Sequence, residues 1–205
     1  MIVLYLAPTS NGLRAAVALE ECGLPYRPQR VDLAKGEQHT PEFMQLNSAA
    51  AIPVLVDSDG PGGEAITLSQ SGAIILYAAE KSGKFLPRDL RARAAALQWF
   101  MHVTTDVSGA SSALFLYGNA APDKTEGTST FFEQRLLKHF ANCDSRLGQT
   151  EYLAGEISVA DLALYPNYVS RMPLLDKAGG LEHLRRWGTA MASRPGVARG
   201  MAVFS

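Results

Sequence analysis

The pattern of apolar and polar positions changes character once along the chain, near Gly83. Before that point, strand-length apolar runs alternate with stretches of helical period. Residues 2–6 (IVLYL) form a β-rich run closed by Pro8 and the turn at 9–12. Leu13, Ala16 and Val17 then recur at i, i+3, i+4, Ala15, Ala18, Leu19 and Cys22 make a second stripe, and Gly23 is a natural helix stop. Residues 26–31 read as a second strand, giving β-α-β within about 30 residues, the size of a parallel crossover unit. The stretch 32–47 reads as loop with one helical turn at 41–46. A third strand is expected at 52–56, and the turn chemistry of DSDGPGG returns 65–68 antiparallel as a hairpin. Residues 69–82 read as a helix with Ile74, Ile75, Tyr77 and Ala78 on its apolar face. The order β-α-β, then β-β-α, predicts a thioredoxin-like α/β domain over 1–82.

Strand signals stop after that domain. A short linker at 83–89 surrounds Pro87, and 90–205 reads as an all-α helical domain. Its first helix runs from Leu90 through Trp99, Val103 and Val107. The small residues at 108–113 permit close helix approach or leave an open cleft, and 120–128 is a polar turn. Further helices are expected at 131–147, 159–171 and 181–193. The architecture is therefore an α/β domain followed by a helical bundle.

Composition narrows the classes. With 47 % hydrophobic and 19 % charged residues the chain can fill a core, and a net charge of −1 gives no field to draw in nucleic acid or an anionic membrane. No stretch of about 18 apolar residues occurs, so no membrane span is expected. The opening segment lacks the basic region of a signal peptide. Cys22 and Cys143 show neither CxxC nor metal-ligand spacing, which fits a reduced, cytoplasmic protein with structural thiols and no metal. His102 reads as a solvated or hydrogen-bonded histidine, and Ser158 to Asp161 as a capping box.

Three short segments are candidates for chemistry, and each also has a structural reading. Thr9, Ser10, Asn11 and Gly12 stand at a strand-to-helix turn, where they either cap the helix or hold a thiolate near its N-terminus. Ile52-Pro53 opens the third strand, where a thioredoxin-like order places a cis-proline, and the backbone of Ile52 can pair with an extended peptide. Ser69-Gln70-Ser71-Gly72 opens a helix, as a cap or as a carboxylate site in which Gln70 meets an α-amino group. Together they call for a small peptide with a central thiol and a free amino-acid end.

Position by position the chain resembles the glutathione transferase family, and within it the bacterial nu-class type. The shared motifs are A-P-T-x-N-G at 7–12, V-D-L-x-K-G-x-Q at 31–38, P-E-F at 41–43, I-P at 52–53, Q-S-G-A-I-I at 70–75, S-x-A-D at 158–161 and S-R-P at 193–195. The resemblance implies an enzyme that uses glutathione as cosubstrate, with no bound cofactor. It implies that Thr9 and Asn11 hold the glutathione sulfur, with Ser10, which replaces a common proline, as the alternative hydroxyl. Gln38 and the Ile52 backbone beside Pro53 would contact the peptide, and Gln70 and Ser71 the γ-glutamyl end. Arg135 would reach glutathione from the helical domain, and Asp106 would touch the glutathione of a partner subunit. The chain departs from the family at Ala49-Ala50-Ala51, where a lysine normally meets the glycyl carboxylate, leaving His39 or Arg135 to compensate.

Disulfide reduction with glutathione is the expected activity. Conjugation to a small electrophile and a non-catalytic binding module on the same fold remain open beside it. The expected partners are glutathione or glutathione disulfide, a small disulfide or electrophile, and a second copy of the chain, with no nucleic acid and no membrane.

Overall fold

Strand β1 (Ile2–Leu6) is buried along nearly its whole length, and a sheet grows outward from it on both sides. The computed structural model describes residues 1–204 and divides into two compact units, one made of Met1–Leu86 with the residues from Ala192 on, the other of Pro87–Met191. In the first unit the strands lie in the order β2-β1-β3-β4. Strand β2 (Tyr26–Arg30) runs parallel to β1, whereas β3 (Val54–Asp57) and β4 (Ile66–Ser69) complete the sheet with antiparallel pairings. Four strands with parallel and antiparallel neighbours are the mixed sheet that the β-α-β, β-β-α order predicts. The edge strand β2 is largely exposed and carries Arg27, Pro28, Gln29 and Arg30, residues that discourage further strand pairing.

Helix α1 (Ser10–Cys22) presents Ala15, Ala16, Val17, Ala18 and Leu19 inward with no exposed surface. It ends at Gly23, whose φ of +71° is the left-handed conformation of a helix stop. Helix α3 (Ser71–Ser82) buries Ile74 and Ile75. The stretch read as loop at 32–47 holds two 3-10 turns, Leu33–Lys35 and Glu37–His39, before the expected helix α2 (Pro41–Leu46). Strand β3 starts two residues later than the pattern implied, because Pro53 has no N–H to donate to a ladder.

The second unit is mostly helical, with two isolated β-bridges, Tyr152 to Gly155 and Ala154 to Glu156, before its fourth helix. Helix α4 (Leu90–Met101) passes through a π-helical turn at His102–Val107 into α5 (Ser108–Ala120), followed by α6 (Glu126–Leu147), α7 (Val159–Ala178) and α8 (Glu182–Ala192). Phe100, Leu136, Phe140, Leu147, Leu153 and Trp187 form its core. The small residues at 108–113 admit α7 closely: Asn167 Nδ2 donates to Ser108 Oγ at 3.0 Å and Arg171 Nε to Ser111 Oγ at 2.9 Å. No helix among the described residues is long and apolar enough to cross a membrane.

The last helix, α9 (Pro195–Met201), lies in the range read as part of the helical domain, yet it packs on α1 of the first unit. Three contacts fix it. Glu21 accepts from Arg194 Nε and from the Val197 N–H, both at 3.0 Å; Arg199 Nε meets Glu20 at 2.7 Å; and a Cβ at Gly200 would meet the Val17 backbone at 2.5 Å. Glycine at 200 is what lets the two helix backbones touch. The linear pattern hides this return, because it shows helix period and not the partner.

Candidate functional site

One row of the sheet gathers the candidate segments. Tyr5 on β1 pairs with Val54 on β3, which pairs with Ser69 on β4, and Leu6 pairs with Arg30 on β2. The chain just beyond this row holds Thr9, Ser10 and Asn11 after β1, Ile52 and Pro53 before β3, Gln70 and Ser71 after β4, and the segment leading to Gln38 after β2. The register brings to one end of the sheet residues as far apart in sequence as Thr9 and Ser71. Both α1 and α3 start there, so two helix N-termini supply partial positive charge.

The first turn is organised from below. Thr9 is the N-cap of α1, its Oγ1 accepting from the Gly12 N–H at 3.2 Å. An accepting hydroxyl still carries an O–H donor. Gly12 is obligatory, since a Cβ there would lie 2.2 Å from the Ala7 carbonyl oxygen. Ser10 is the first residue of α1 and half-buried, while Asn11 is exposed. Beneath them Arg14 is 2 % exposed, and burial pulls its guanidinium down to about 10, still charged at neutral pH. Arg14 donates to Asn11 Oδ1 and, at 3.4 Å, to the Ser10 carbonyl. A guanidinium only donates, so the Asn11 atom facing it is the oxygen and the amide NH₂ is turned the other way. Arg14 belongs to no motif in the sequence, although its i, i+3 spacing from Asn11 puts both on one helix face.

At the second turn the Ile52–Pro53 peptide bond is cis, as a thioredoxin-like order leads one to expect. Both ladders of β3 begin at Val54, so Ile52 lies outside them. Asn47 shapes the preceding loop, donating to the Ala51 carbonyl at 2.7 Å and accepting from the Ala49 N–H at 3.1 Å.

Ser71 opens α3 and is 9 % exposed. The N-cap position is held by Gln70, at φ +73° and ψ 114°, with no side-chain capping bond. That conformation costs a non-glycine residue on the order of 1–3 kcal/mol, and such strain collects at ligand-binding positions. Nothing in the linear sequence signals it. Gln38, on the second 3-10 turn, has its Oε1 shielded from solvent without a hydrogen-bond partner.

Two candidates belong to the helical unit. Arg135 is exposed on α6. Asp106 lies in the π-helical turn, about half exposed, with Oδ2 2.8 Å from His102 Nδ1. That hydrogen bond holds its carboxyl below the usual carboxylate range. Both cysteines are buried and free; burial pushes the Cys22 thiol up and the Cys143 thiol up to about 12. Neither is poised as a nucleophile.

Family models for the glutathione S-transferase N-terminal domain and C-terminal domain match residues 10–81 and 105–199. The chain belongs to the glutathione S-transferase family. Among its relatives, the disulfide-bond oxidoreductase YfcG of Escherichia coli is 39 % identical over 168 residues, covering 81 % of this chain and 78 % of YfcG. YghU of the same organism, also a disulfide-bond oxidoreductase, is 30 % identical over 98 % of this chain and 74 % of its own length. A Pseudomonas putida glutathione transferase, solved with one glutathione disulfide per subunit, superposes with a TM-score of 0.90 at 29 % identity, over 100 % of this chain and 92 % of that one. The thioredoxin-like sheet and helical unit of this glutathione S-transferase are thus shared with the P. putida enzyme.

Proposed function

We propose that this glutathione S-transferase reduces disulfides with glutathione and without a thiol of its own. The observation that carries the reading is the turn at Thr9–Gly12, where a hydroxyl and an oriented amide stand at a helix N-terminus and no cysteine is present. The names of YfcG and YghU and the glutathione disulfide in the P. putida enzyme support it.

The proposed chemistry follows from the donors. An unperturbed thiol titrates near about 8.5, and lowering it by two units takes about 2.7 kcal/mol. Two neutral hydrogen bonds of about 1 kcal/mol and a helix terminus of about 0.5 kcal/mol supply that much. Asn11 donates through the NH₂ that Arg14 turns outward, and Thr9, with Ser10 as the alternative, through its hydroxyl. The thiolate attacks one sulfur of a disulfide, forming a glutathione mixed disulfide and releasing the other half as a thiolate that takes a proton. A second glutathione thiolate then attacks the mixed disulfide, giving glutathione disulfide and the second free thiol. Two glutathiones are oxidised, one disulfide is reduced, and no metal or cofactor enters.

Binding is assigned to Gln70 and Ser71 at the γ-glutamyl carboxylate and amine, to the Ile52 backbone beside Pro53 at the peptide, and to Gln38, whose unpaired Oε1 accepts a peptide N–H. The glycyl carboxylate is assigned to His39 or, in its place, Arg135. A homodimer is part of the proposal: Leu90 and Met101 on α4 are 81 % and 46 % exposed. A monomer by light scattering at micromolar concentration would remove it.

The test is a side-by-side assay of hydroxyethyl disulfide reduction and of conjugation to a chlorinated nitrobenzene. Reduction is expected to have the higher kcat/KM. Higher efficiency in conjugation would overturn the proposal in favour of a conjugating enzyme, and no turnover with either substrate would favour a binding module.

A further inference from the structure

Where α4 runs into α5, the helical unit brings together three groups, of which His102 and His139 have no part in the disulfide chemistry. His102 and Asp106 lie on the π-helical turn, and His139 comes from α6. One ligand atom from each lies within 4.8 Å of the other two. The two imidazole rings are 5.6 Å apart and tilted by 59°. Two imidazoles and one carboxylate form a donor set that suits zinc and its first-row neighbours over magnesium or calcium.

The surroundings are built for either state of the site. His102 Nδ1 and Asp106 Oδ2 are 2.8 Å apart, a hydrogen-bond separation that opens by about 0.6 Å to reach the roughly 3.4 Å between ligand atoms of a tetrahedral ion with bonds of about 2.1 Å. His102 Nε2 has an acceptor in the His139 carbonyl at 3.5 Å and a donor in Asn142 Nδ2 at 3.4 Å. It therefore keeps a partner whichever tautomer the ring adopts. Bonding from one ring nitrogen to a backbone carbonyl is the usual outer-shell arrangement of a metal-bound histidine, and it leaves the other nitrogen as the ligand. Asp106 Oδ1 lies 3.4 Å from Thr105 Oγ1, whose single proton goes to the nearer Met101 carbonyl. The π-helical turn itself is a rare conformation that appears mostly at functional sites. Carbonyls in and just before it are met by side chains: Thr104 donates to Phe100 O at 2.9 Å, Thr105 to Met101 O at 2.8 Å and Ser108 to Val103 O at 2.8 Å.

We propose that His102, Asp106 and His139 form a binding site for a divalent transition-metal ion of the zinc type. The ion displaces the proton shared by His102 and Asp106, ties the π-helical turn to α6, and keeps solvent at its remaining positions on the exposed side of Asp106. Two of the ligands are four residues apart and the third is on another helix, so linear spacing did not reveal the set.

The experiment uses the full chain, treated with EDTA and dialysed, titrated with zinc chloride by calorimetry in the absence of glutathione, whose thiol would itself take zinc. One ion per chain is expected. His102→Ala and His139→Ala should each weaken binding by at least about tenfold. Asp106→Asn should also weaken it, and it keeps the volume of an exposed side chain, so folding is not at issue. His183→Ala, a histidine on α8 outside the cluster, should leave affinity within about twofold. No binding by the unmodified chain at about 100 μM zinc chloride, or binding unchanged in the three ligand variants, would overturn the proposal.

Discussion

Three helix starts in this molecule use polar side chains for different ends. At α7, Ser158 and Asp161 close on themselves. Asp161 is fully buried and accepts from the Leu153 N–H at 3.1 Å, the Ser158 N–H at 2.9 Å, Ser158 Oγ at 3.1 Å and Trp187 Nε1 at 2.9 Å. Its oxygens face only groups of the protein. At α1, Thr9 caps its helix but keeps an O–H to donate, and Arg14 takes the oxygen of Asn11, leaving the NH₂ of this exposed residue to donate elsewhere. At α3, Gln70 holds a strained conformation and gives the helix no side-chain cap. Motif alone does not separate a structural cap from a binding turn. What separates them is whether the polar groups have already found partners.

The strongest way to break the α7 side is Asp161→Ala. It leaves the Trp187 and backbone donors buried without an acceptor, which costs about 3–5 kcal/mol, or roughly 10 °C in thermal midpoint for a chain of this size. Specific activity of the folded fraction should not change. A stability loss below about 1 kcal/mol would mean that the cap is not structural. The same carboxylate sets a pH dependence. Burial pushes its pKa up to about 6, against about 3.9 in the unfolded chain, so the folded state binds the extra proton. Its stabilising effect is complete below about pH 4 and is lost as pH rises through about 6. Denaturant unfolding of Asp161→Asn across that window should lack this fall.

Next in size is the double substitution Gln70→Ala with Ser71→Ala. Loss of hydrogen bonds to a charged carboxylate costs about 1.5–3 kcal/mol, so calorimetry should show glutathione affinity reduced about ten- to a hundredfold with little change in midpoint. Equal affinity would remove the γ-glutamyl assignment.

Asn11→Ala should lower the rate of disulfide reduction by about tenfold, the worth of one hydrogen bond to a charged sulfur. Arg14→Lys keeps the charge but shortens the reach to Asn11, and its rate should fall between wild type and Asn11→Ala. A wild-type rate in Asn11→Ala would shift the sulfur contact to Thr9 or Ser10, which Thr9→Ala and Ser10→Ala would tell apart.

Much of this molecule is legible in its sequence, and for physical reasons. Strand β1, helix α1 and helix α3 carry complete apolar stripes, and the DSDGPGG turn fixes the hairpin, so the α/β half follows from local pattern. The three turns were visible because each opens a helix or strand with residues that have a second use. The features that stayed hidden depend on partners distant in sequence or on backbone angles. Helix α9 has an ordinary helical pattern, and only Gly200 against Val17 and Glu21 against Arg194 show where it packs. The positive φ of Gln70 belongs to a residue that is not glycine, and no composition signal marks it. Trp99 is partly exposed and stacks edge-on to His102, while its neighbour Phe100 takes the buried position, which helical period alone does not tell apart.

The most direct test of a site that works through glutathione's thiol alone is hydroxyethyl disulfide reduction by the chain with both Cys22 and Cys143 replaced by alanine. Both thiols are buried and held protonated, so turnover should stay within about threefold of wild type once the folded fraction is matched. A fall of about a hundredfold or more would mean that a protein thiol takes part in the exchange, and it would contradict the assignment of the chemistry to Thr9 and Asn11.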